Sequence, residues 1–504
     1  MGVIGNLIAG FSQALALDNL LFALIGVALG SLVGVLPGIG PLGAMSLLLC
    51  TTFGMTPLHA LIFFAGIYYG SMYGGSTTSI LLNVPGESTS VVTCIDGYQM
   101  CQKGRAGAAL FIAAAGSFVA GTLSVLGLML FAPLLADFAL KFGPPEYFSL
   151  TSVGLAVLTY ISSGSKAKAL LMVLVGMMIS MIGMDPVTGN QRFTLGFLPL
   201  SQGIDFVPVA MGLFGISEVL NIVTSSSSQV RIRRVALREL LPSRTEISRS
   251  VGPVVRGSFL GFFIGLVPGP AAVISSFSSY ALEKRLSKRS SEFGHGAVEG
   301  VAGPEAANNA AAGSAFLPLM ALGIPFAPPM ALILAAMIIG GILPGPTFIQ
   351  ENPDLFWTFI ASMYIGNVML VLLNLPLVGL FVSVLRTPAQ ILLPVVAILC
   401  LIGVYAVNSS SVDVWVLVFS GVLGYVLRAR GYDLAPLVLA IVLGPKVETY
   451  FRQSLSISGG DYSIFVTRPI SLTIALLPLA IALGWWLFHG AFKFSRGEEH
   501  GRET

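Results

Sequence analysis

Long apolar stretches separated by short polar breaks make up most of the chain. A membrane-spanning helix needs about 20 mainly apolar residues, and many of the stretches approach that length. One begins at Leu58, and the others lie near residues 20–50, 108–134, 147–162, 168–184, 206–224, 356–385, 389–407, 412–427, 432–444 and 470–490. We therefore expect an all-α polytopic membrane protein with about 10–12 transmembrane segments.

Two of these stretches carry the same spaced glycines and end in the same Pro-Gly step. Residues 26–38 read GVALGSLVGVLPG, and residues 257–269 read GSFLGFFIGLVPG. Glycine every four residues lets membrane helices pack closely, but close packing does not explain the shared Pro-Gly step. We interpret the pair as an internal duplication, which is common in secondary transporters. The predicted hairpin breaks are Pro37, Gly38, Pro268 and Gly269, with a weaker matching pair at Pro85 and Pro325.

Basic residues indicate how the two copies lie in the membrane. Residues 225–252 contain six arginines between the two apolar halves, so the positive-inside rule places this linker in the cytoplasm. If both Pro-Gly segments are re-entrant hairpins, the basic clusters at 103–105, 166–168 and 284–289 face the same side. The two halves then have opposite orientations, which predicts two inverted-topology repeats.

The domain boundaries follow from this arrangement. Residues 1–224 form the first transmembrane repeat, 225–252 the basic cytoplasmic linker, and 253–445 the second transmembrane repeat. Residues 446–504 are predicted to hold a polar segment, the last transmembrane helix and a cytoplasmic tail.

Composition narrows the function classes. Of the 504 residues 55% are hydrophobic and 10% are charged, whereas a soluble domain averages about 25% charged residues. The net charge of +3 does not indicate a nucleic-acid partner. The chain has no nucleotide-binding P-loop pattern and no metal-ligand spacing among its four cysteines, so we predict neither an ATP-driven motor nor a metal site or cofactor.

Residues 66–97 collect small hydroxyls, an amide, a carboxylate and helix breakers within this apolar chain. Backbone that leaves the helix at bilayer depth must be buried in protein or line a wet cavity. The stretch therefore predicts a binding loop at the tips of discontinuous helices. A plain extramembrane loop is the alternative interpretation. Residues 299–313 form a second polar stretch in the other half.

These stretches supply the candidate site residues. Close backbone approach and hydrogen-bond donors suggest substrate binding by Gly74, Gly75, Ser76, Thr77, Thr78, Asn83, Gly86, Ser88, Asn308 and Asn309. Glu87 and Glu305 are candidates for ion coupling, because a carboxylate inside a membrane is costly and can hold a cation or take up a proton. Helix N-termini suit a carboxylate substrate. The coupling ion is expected to be sodium or a proton.

Four runs of sequence resemble a known family. They read GxxxGxxxGxLPGxGP at 26–41, YGSMYGGSTTSILLNVPGE at 69–87, GPPEYFSL at 143–150 and GPEAANNAAA at 303–312. All four are similar to the large permease subunit of the tripartite tricarboxylate transporters. The similarity extends from about residue 20 to 487, and the motifs are long and specific.

The resemblance implies a function and partners. Such a subunit lies in the bacterial inner membrane with a small membrane subunit and receives substrate from a periplasmic solute-binding protein. It imports tricarboxylates, dicarboxylates or aromatic acids by secondary active transport, as a symporter. The positions that carry over as the transport site are 74–79, 83–88 and 303–309. An ion channel is the alternative function, followed by an intramembrane enzyme, for which the chain offers no clear catalytic pattern.

Overall fold

Helices provide nearly all regular structure in the part of the chain that the structure describes. The structure is a computed structural model, and it describes residues 2–36, 40–162, 165–185, 188–224, 240–377, 380, 397–398, 400–402, 404–405 and 410–478. Pro37, Gly38, most of the basic linker and the end of the last predicted span lie outside these residues.

The first half, up to residue 224, contains ten labelled helices and one small hairpin. The helices are α1 (Val3–Ala14), α2 (Leu17–Val35), α3 (Gly40–Leu48), α4 (Pro57–Leu82), α5 (Val91–Gln102), α6 (Ala106–Ala139), α7 (Pro144–Ile161), α8 (Lys166–Ser180), α9 (Phe206–Ala210) and α10 (Ser217–Thr224). A π-helical turn, Met211–Ile216, joins α9 to α10. The antiparallel strands β1 (Gly183–Met184) and β2 (Gln191–Arg192) form the hairpin, and 3₁₀ turns lie at Leu49–Gly54, Ser88–Ser90 and Leu198–Gln202.

The second half, from residue 240, is helical wherever it has regular structure. Its helices are α11 (Arg244–Gly265), α12 (Ala271–Leu286), α13 (Glu299–Ser314), α14 (Phe316–Leu322), α15 (Pro328–Ile339), α16 (Phe348–Glu351), α17 (Pro353–Asn374), α18 (Ser411–Ala429), α19 (Ala435–Ile457), α20 (Ile464–Thr467) and α21 (Pro469–Pro478). A 3₁₀ turn lies at Ser290–Glu292.

Length and apolar composition identify membrane-spanning helices. Within the described residues, α2, α6, α17 and α18 are long and apolar enough to cross a bilayer. The predicted all-α polytopic membrane fold is therefore confirmed. The total of 10–12 crossings stays a prediction.

The spaced glycines bring one pair of helices together in each half. A Cβ added at Gly30 in α2 would lie 2.7 Å from the Ile67 Cα in α4, and one added at Gly261 in α11 would lie 2.8 Å from the Ala307 Cα in α13. Only glycine permits backbones to approach this closely. The neighbouring glycines of each row meet residues further along the same partner helix, so both pairs run parallel.

The helix pair α2 and α4 runs in the opposite direction to the helix pair α11 and α13. Ser76 in α4 bonds Glu305 in α13, whereas Tyr69, earlier in α4, lies against Phe316, just after α13. Residue numbers therefore rise along α4 as they fall along α13, and the two helices are antiparallel. The equivalent helices of the two halves are inverted relative to each other, as the sequence predicts.

Each half also covers the glycine pair of the other. In α6, Ser117 accepts a hydrogen bond from the Asn309 Nδ2 of α13 at 2.7 Å. In α17, the Asn374 Nδ2 donates to the Ser31 Oγ of α2 at 2.9 Å. Because α6 of the first half packs on α13, and α17 of the second half packs on α2, the two halves share one core. Polar side chains from both halves are buried between them.

The second Pro-Gly segment forms a hairpin between α11 and α12. Arg249 near the start of α11 bonds Glu292 after α12 and Glu299 at the start of α13, so these three ends lie together. At the tip, the Gly269 N–H donates to the Phe326 carbonyl at 2.8 Å. Gly269 has a φ of 132°, which favours glycine. The tip of this hairpin therefore contacts the chain near Pro325.

Three sequence expectations need correction. Gly74 to Leu82 belong to α4, and Asn308 and Asn309 lie within α13, so most of the two polar stretches are helix rather than loop. Two of their hydroxyls bond the same helix: Thr77 donates to the Tyr73 carbonyl at 3.2 Å and Thr78 to the Gly75 carbonyl at 3.0 Å. The boundary proposed at residues 445/446 falls inside α19, which continues through Pro445 to Ile457.

Alanine at the close-packed glycines should destabilise the protein. We expect Gly30→Ala and Gly261→Ala each to lower the free energy of unfolding by about 1–3 kcal/mol, because the added Cβ pushes two backbones apart. Gly366→Ala in α17 is the control, since its Cβ would meet only the Val27 Cγ2 at 3.8 Å. Thermal unfolding in detergent measures the difference. Equal stability of all three variants would contradict the close approach.

Labelling of single cysteines tests the predicted sides of the membrane. Thr51 and Ser290 are exposed and follow the two Pro-Gly segments in the sequence, whereas Thr52 is buried. In a background without the native cysteines, we expect Thr51→Cys to react from the periplasm and Ser290→Cys from the cytoplasm, as inverted repeats require. A membrane-impermeant thiol reagent makes the measurement, and reaction of both from one side contradicts the arrangement.

Candidate functional site

The first break, residues 83–87, folds back against the helix that precedes it. Helix α4 ends at Leu82, and Asn83 turns the chain with a left-handed φ of 56°. A Cβ added at Gly86 would lie 2.6 Å from the Gly75 Cα, and one added at Gly75 would lie 2.9 Å from the Glu87 Cγ. The two glycines therefore let the break and Glu87 lie directly on α4.

The Glu87 side chain is buried in this turn. Glu87 stands just before the 3₁₀ turn that leads into α5, and its carboxylate accepts a hydrogen bond from the Thr89 Oγ1 at 2.5 Å. Glu87 thus has a structural role in addition to any ligand role.

Glu305 comes to the same region from the other half. It lies in the middle of α13 and is 1% exposed. Its carboxylate accepts a hydrogen bond from the Ser76 Oγ of α4 at 2.6 Å and another from the Thr93 Oγ1 of α5. A carboxylate of the second half is therefore held entirely by side-chain donors of the first half.

Asn308 is a polar residue of this region with unfilled hydrogen-bond capacity. It follows Glu305 by about one turn of α13, is 1% exposed and faces the Glu87 carboxyl. Neither its Nδ2 nor its Oδ1 makes a hydrogen bond of normal geometry, and the group within reach of its amide is the Glu87 carboxyl. An unpaired buried polar group typically costs about 1–3 kcal/mol, so this side chain fits a site that receives a small polar ligand.

Five residues of this region form a group that we call the carboxylate cluster: Ser76, Glu87, Thr93, Glu305 and Asn308. Glu87 and Glu305 are close enough to repel each other. Among the described residues, no lysine or arginine forms an ion pair with either. Two buried carboxyl groups without a positive partner favour uptake of a proton or a cation. Hydroxyl, carboxylate and amide oxygens are suitable ligands for a hard cation.

A narrow cavity opens beside the cluster. It has a volume of about 20 Å³ and is lined by Tyr73, Ser76, Thr77, Leu110, Ala113, Ala114, Ser117, Asn374 and Leu375. This volume accommodates about one water molecule. The space next to Ser76 therefore suits a water or a small ion in this conformation and is too small for an organic acid.

Comparisons with known proteins identify the family. The model of the tripartite tricarboxylate transporter TctA family matches residues 20–439. The chain belongs to the TctA family. TctA proteins are the permease component of a transporter family, so the membrane fold described above is that of a transporter subunit.

Two curated relatives come from Agrobacterium vitis. The chain is 50% identical over 481 residues to the "Uncharacterized 52.8 kDa protein in TAR-I ttuC' 3'region", and the match covers 95% of each chain. It is 51% identical over 223 residues to the "Uncharacterized protein in TAR-II ttuC' 3'region", which covers 44% of this chain and 92% of that relative. No solved structure matches.

The other candidate residues of this TctA protein divide into packed and exposed groups. Gly74 packs against the α2 backbone at Ser31. Thr78 donates to the Gly75 carbonyl at 3.0 Å, and Asn309 donates to Ser117. Asn83 and Ser88 are exposed. The structure therefore brings only Gly75, Ser76, Gly86 and Asn308 of the predicted substrate ligands to the two glutamates, and Thr77 lines the adjacent cavity.

Sequence reasoning missed Thr89 and Thr93, which donate to the two glutamates. Both lie in the polar stretch 66–97, and Thr89 follows Glu87 by two residues. It also missed Asp96, which is 0% exposed. The Asp96 Oδ1 accepts backbone N–H bonds from Gly294, Gly296 and Ala297, so it fixes α5 to the segment before α13.

The two neighbouring asparagines should respond differently to alanine. Asn309→Ala removes the bonds to Ser117 and to the Glu305 carbonyl, so we expect a loss of about 1–3 kcal/mol in the free energy of unfolding. Asn308→Ala removes an amide whose atoms make no hydrogen bond of normal geometry, so it should leave stability unchanged or raise it. Thermal unfolding in buffer without added sodium compares the two. A larger loss for Asn308→Ala would show that its amide already has an internal partner.

Proposed function

We propose that this TctA protein is the large permease subunit of an importer of carboxylates that is driven by an ion gradient. Its substrates are tricarboxylates, dicarboxylates or aromatic acids. It works in the bacterial inner membrane with a small membrane subunit and accepts substrate from a periplasmic solute-binding protein. The observation that carries the proposal is the carboxylate cluster, which both inverted halves build at their shared boundary.

The position of the cluster supports coupled transport. In secondary transporters, substrate and ion sites lie where two structural repeats meet, beside helices that are broken at membrane depth. Here Glu87 follows the first break, while Glu305 belongs to the opposite half. Movement of one half relative to the other would change the contacts of Glu305 with Ser76 and Thr93. Such a cluster can therefore sense and stabilise one arrangement of the halves.

The charge of the cluster supports a requirement for the ion. Two buried carboxylates repel an anionic substrate, so an organic acid binds nearby only after a proton or a cation has reduced that charge. A sodium ion would use the Asn308 Oδ1 and a Glu87 oxygen as ligands. A proton would bind one of the carboxylates. In either case ion and carboxylate uptake are linked through electrostatics.

The test is uptake by the complete transporter reconstituted in proteoliposomes. We expect saturable citrate uptake that rises with an inward sodium or proton gradient. Glu87→Gln and Asn308→Ala should raise the ion concentration for half-maximal uptake by about tenfold, because each loses roughly 1–3 kcal/mol of ligand interaction. Their citrate affinity at saturating ion should change less.

Ser88→Ala is the matched control, since Ser88 is exposed beside Glu87 and should behave like the wild type. Normal ion dependence in both site variants would contradict the assignment of the cluster. Conductance that needs no carboxylate would instead favour an ion channel.

A further inference from the structure

The second break, residues 323–327, differs from the first in its charge. It follows α14, and Gly323 turns the chain with a φ of 68°, as Asn83 does at the first break. Where the first break continues into Glu87, the second continues into Phe326 and Ala327. The charged residue at the second break is Lys446 of α19, whose Nζ donates to the Gly323 carbonyl at 2.5 Å.

Lys446 differs from the half-buried arginines of the described residues. The half-buried arginines each bond a carboxylate, and they are Arg192, Arg249, Arg428, Arg452 and Arg468. Half-buried Lys446 has no carboxylate oxygen within 4.0 Å in that part of the chain. A partly buried ammonium with only a neutral partner keeps a positive charge that is not compensated.

Capping of α14 does not explain this lysine. The helix end is already closed by the Gly323 N–H, which bonds the Leu319 carbonyl at 3.0 Å, and by the Ile324 N–H, which bonds the Pro318 carbonyl at 3.4 Å. An ammonium group has three donors, and the Gly323 carbonyl uses one. Lys446 therefore has donors left for a ligand.

A second unsatisfied donor lies in the same neighbourhood. Tyr147 stacks on Tyr450, which is one turn after Lys446 in α19, with ring centroids 5.1 Å apart. Its hydroxyl is buried without a hydrogen-bond partner. Tyr147 packs against the hydrophobic cluster that contains Ile324 and Phe326 of the second break. Tyr147 belongs to the GPPEYFSL run, which the carboxylate cluster does not use.

We propose that Lys446 and Tyr147 form a carboxylate-binding subsite at the second break. The inference rests on the proposed function, since the ligand is a carboxylate group of the imported acid. An ammonium and a hydroxyl both donate to carboxylate oxygens, and the charged bond is the stronger. One break then binds the coupling ion with acidic groups, and the other binds the anion with a basic group.

The position of Lys446 along the membrane fits delivery of substrate from outside. Lys168, at the start of α8, bonds the Arg430 carbonyl, while Ser180, at its end, packs on Gly444. Lys446 lies in the middle of α19, level with the end of α8 that is opposite Lys168. It is therefore away from the basic clusters, which the charge rule places in the cytoplasm.

A larger cavity nearby does not offer the same chemistry. It has a volume of about 740 Å³ and lies between α15, α19 and the segment after α8. Of its charged lining residues, Arg192 bonds Glu448, and Asp205 adds a negative charge. The uncompensated charge belongs to Lys446, which does not line this cavity.

Citrate uptake and citrate binding by four variants test the subsite in the reconstituted complex. We expect Lys446→Met to raise the KM for citrate at least about tenfold and Tyr147→Phe to raise it a few-fold. Lys446→Arg keeps the charge and should stay close to the wild type. Lys168→Met is the control, because Lys168 is also half-buried without a carboxylate partner. It lies near the start of α8, at the end of that helix away from Lys446.

A second readout separates ligand binding from a structural role. Citrate should raise the unfolding temperature of the wild-type protein but not of Lys446→Met, whereas stabilisation by sodium or by lower pH should persist in that variant. Wild-type citrate affinity in Lys446→Met would overturn the subsite alone. The subsite would also be wrong if Lys446→Met and Lys446→Arg lost stability and uptake equally. A wild-type complex with neither carboxylate uptake nor thermal stabilisation by any carboxylate would overturn the proposed function and the subsite together.

Discussion

The hydrogen bonds that Glu305 accepts from Ser76 and Thr93 link the two halves of the protein at a buried polar point. A carboxylate in the middle of a membrane protein needs such partners, because burial without them costs several kcal/mol. Its donors come from α4 and α5, whereas Glu305 itself lies in α13. The arrangement therefore exists only when the inverted halves are packed together.

The spaced glycines make this contact possible. They bring α2 onto α4 and α11 onto α13 with backbones in contact, so each pair behaves as one unit. Antiparallel packing of the two units then places Ser76 opposite Glu305 and Glu87 near Asn308. Helix α6 of the first half bonds α13 through Asn309, and α17 of the second half bonds α2 through Asn374. A shift of one unit is therefore transmitted to the other through these buried side chains.

Several features of the fold were predictable because they depend on local rules. Glycine spacing indicated the close helix pairs, Pro85 and Pro325 indicated the two breaks, and the basic clusters indicated the inversion. The helical state of residues 74–82 was not recognised, because serine and threonine hydroxyls resemble a loop in sequence but bond their own helix in a membrane protein.

The composition of the site depends on contacts that no local pattern encodes. Thr93 meets Glu305 only after the halves pack, and Lys446 reaches Gly323 from a helix far along the chain. Conversely, Asn83 and Ser88 looked like ligands beside Glu87, but the turn at the first break leaves them exposed. Sequence thus located the polar segments, while tertiary packing decided which of their side chains share a site.

A double-mutant cycle between Ser76→Ala and Glu305→Gln tests most directly whether the halves share one ion-coupled site. The quantity to measure is the sodium or proton concentration that gives half-maximal carboxylate uptake in the wild type, both single variants and the double variant. Residues that act through one contact are coupled by about 0.5–3 kcal/mol, so the double variant should be much less impaired than the two single effects combined. Strictly additive effects would mean that Ser76 and Glu305 act independently, and would contradict a site built between the two halves.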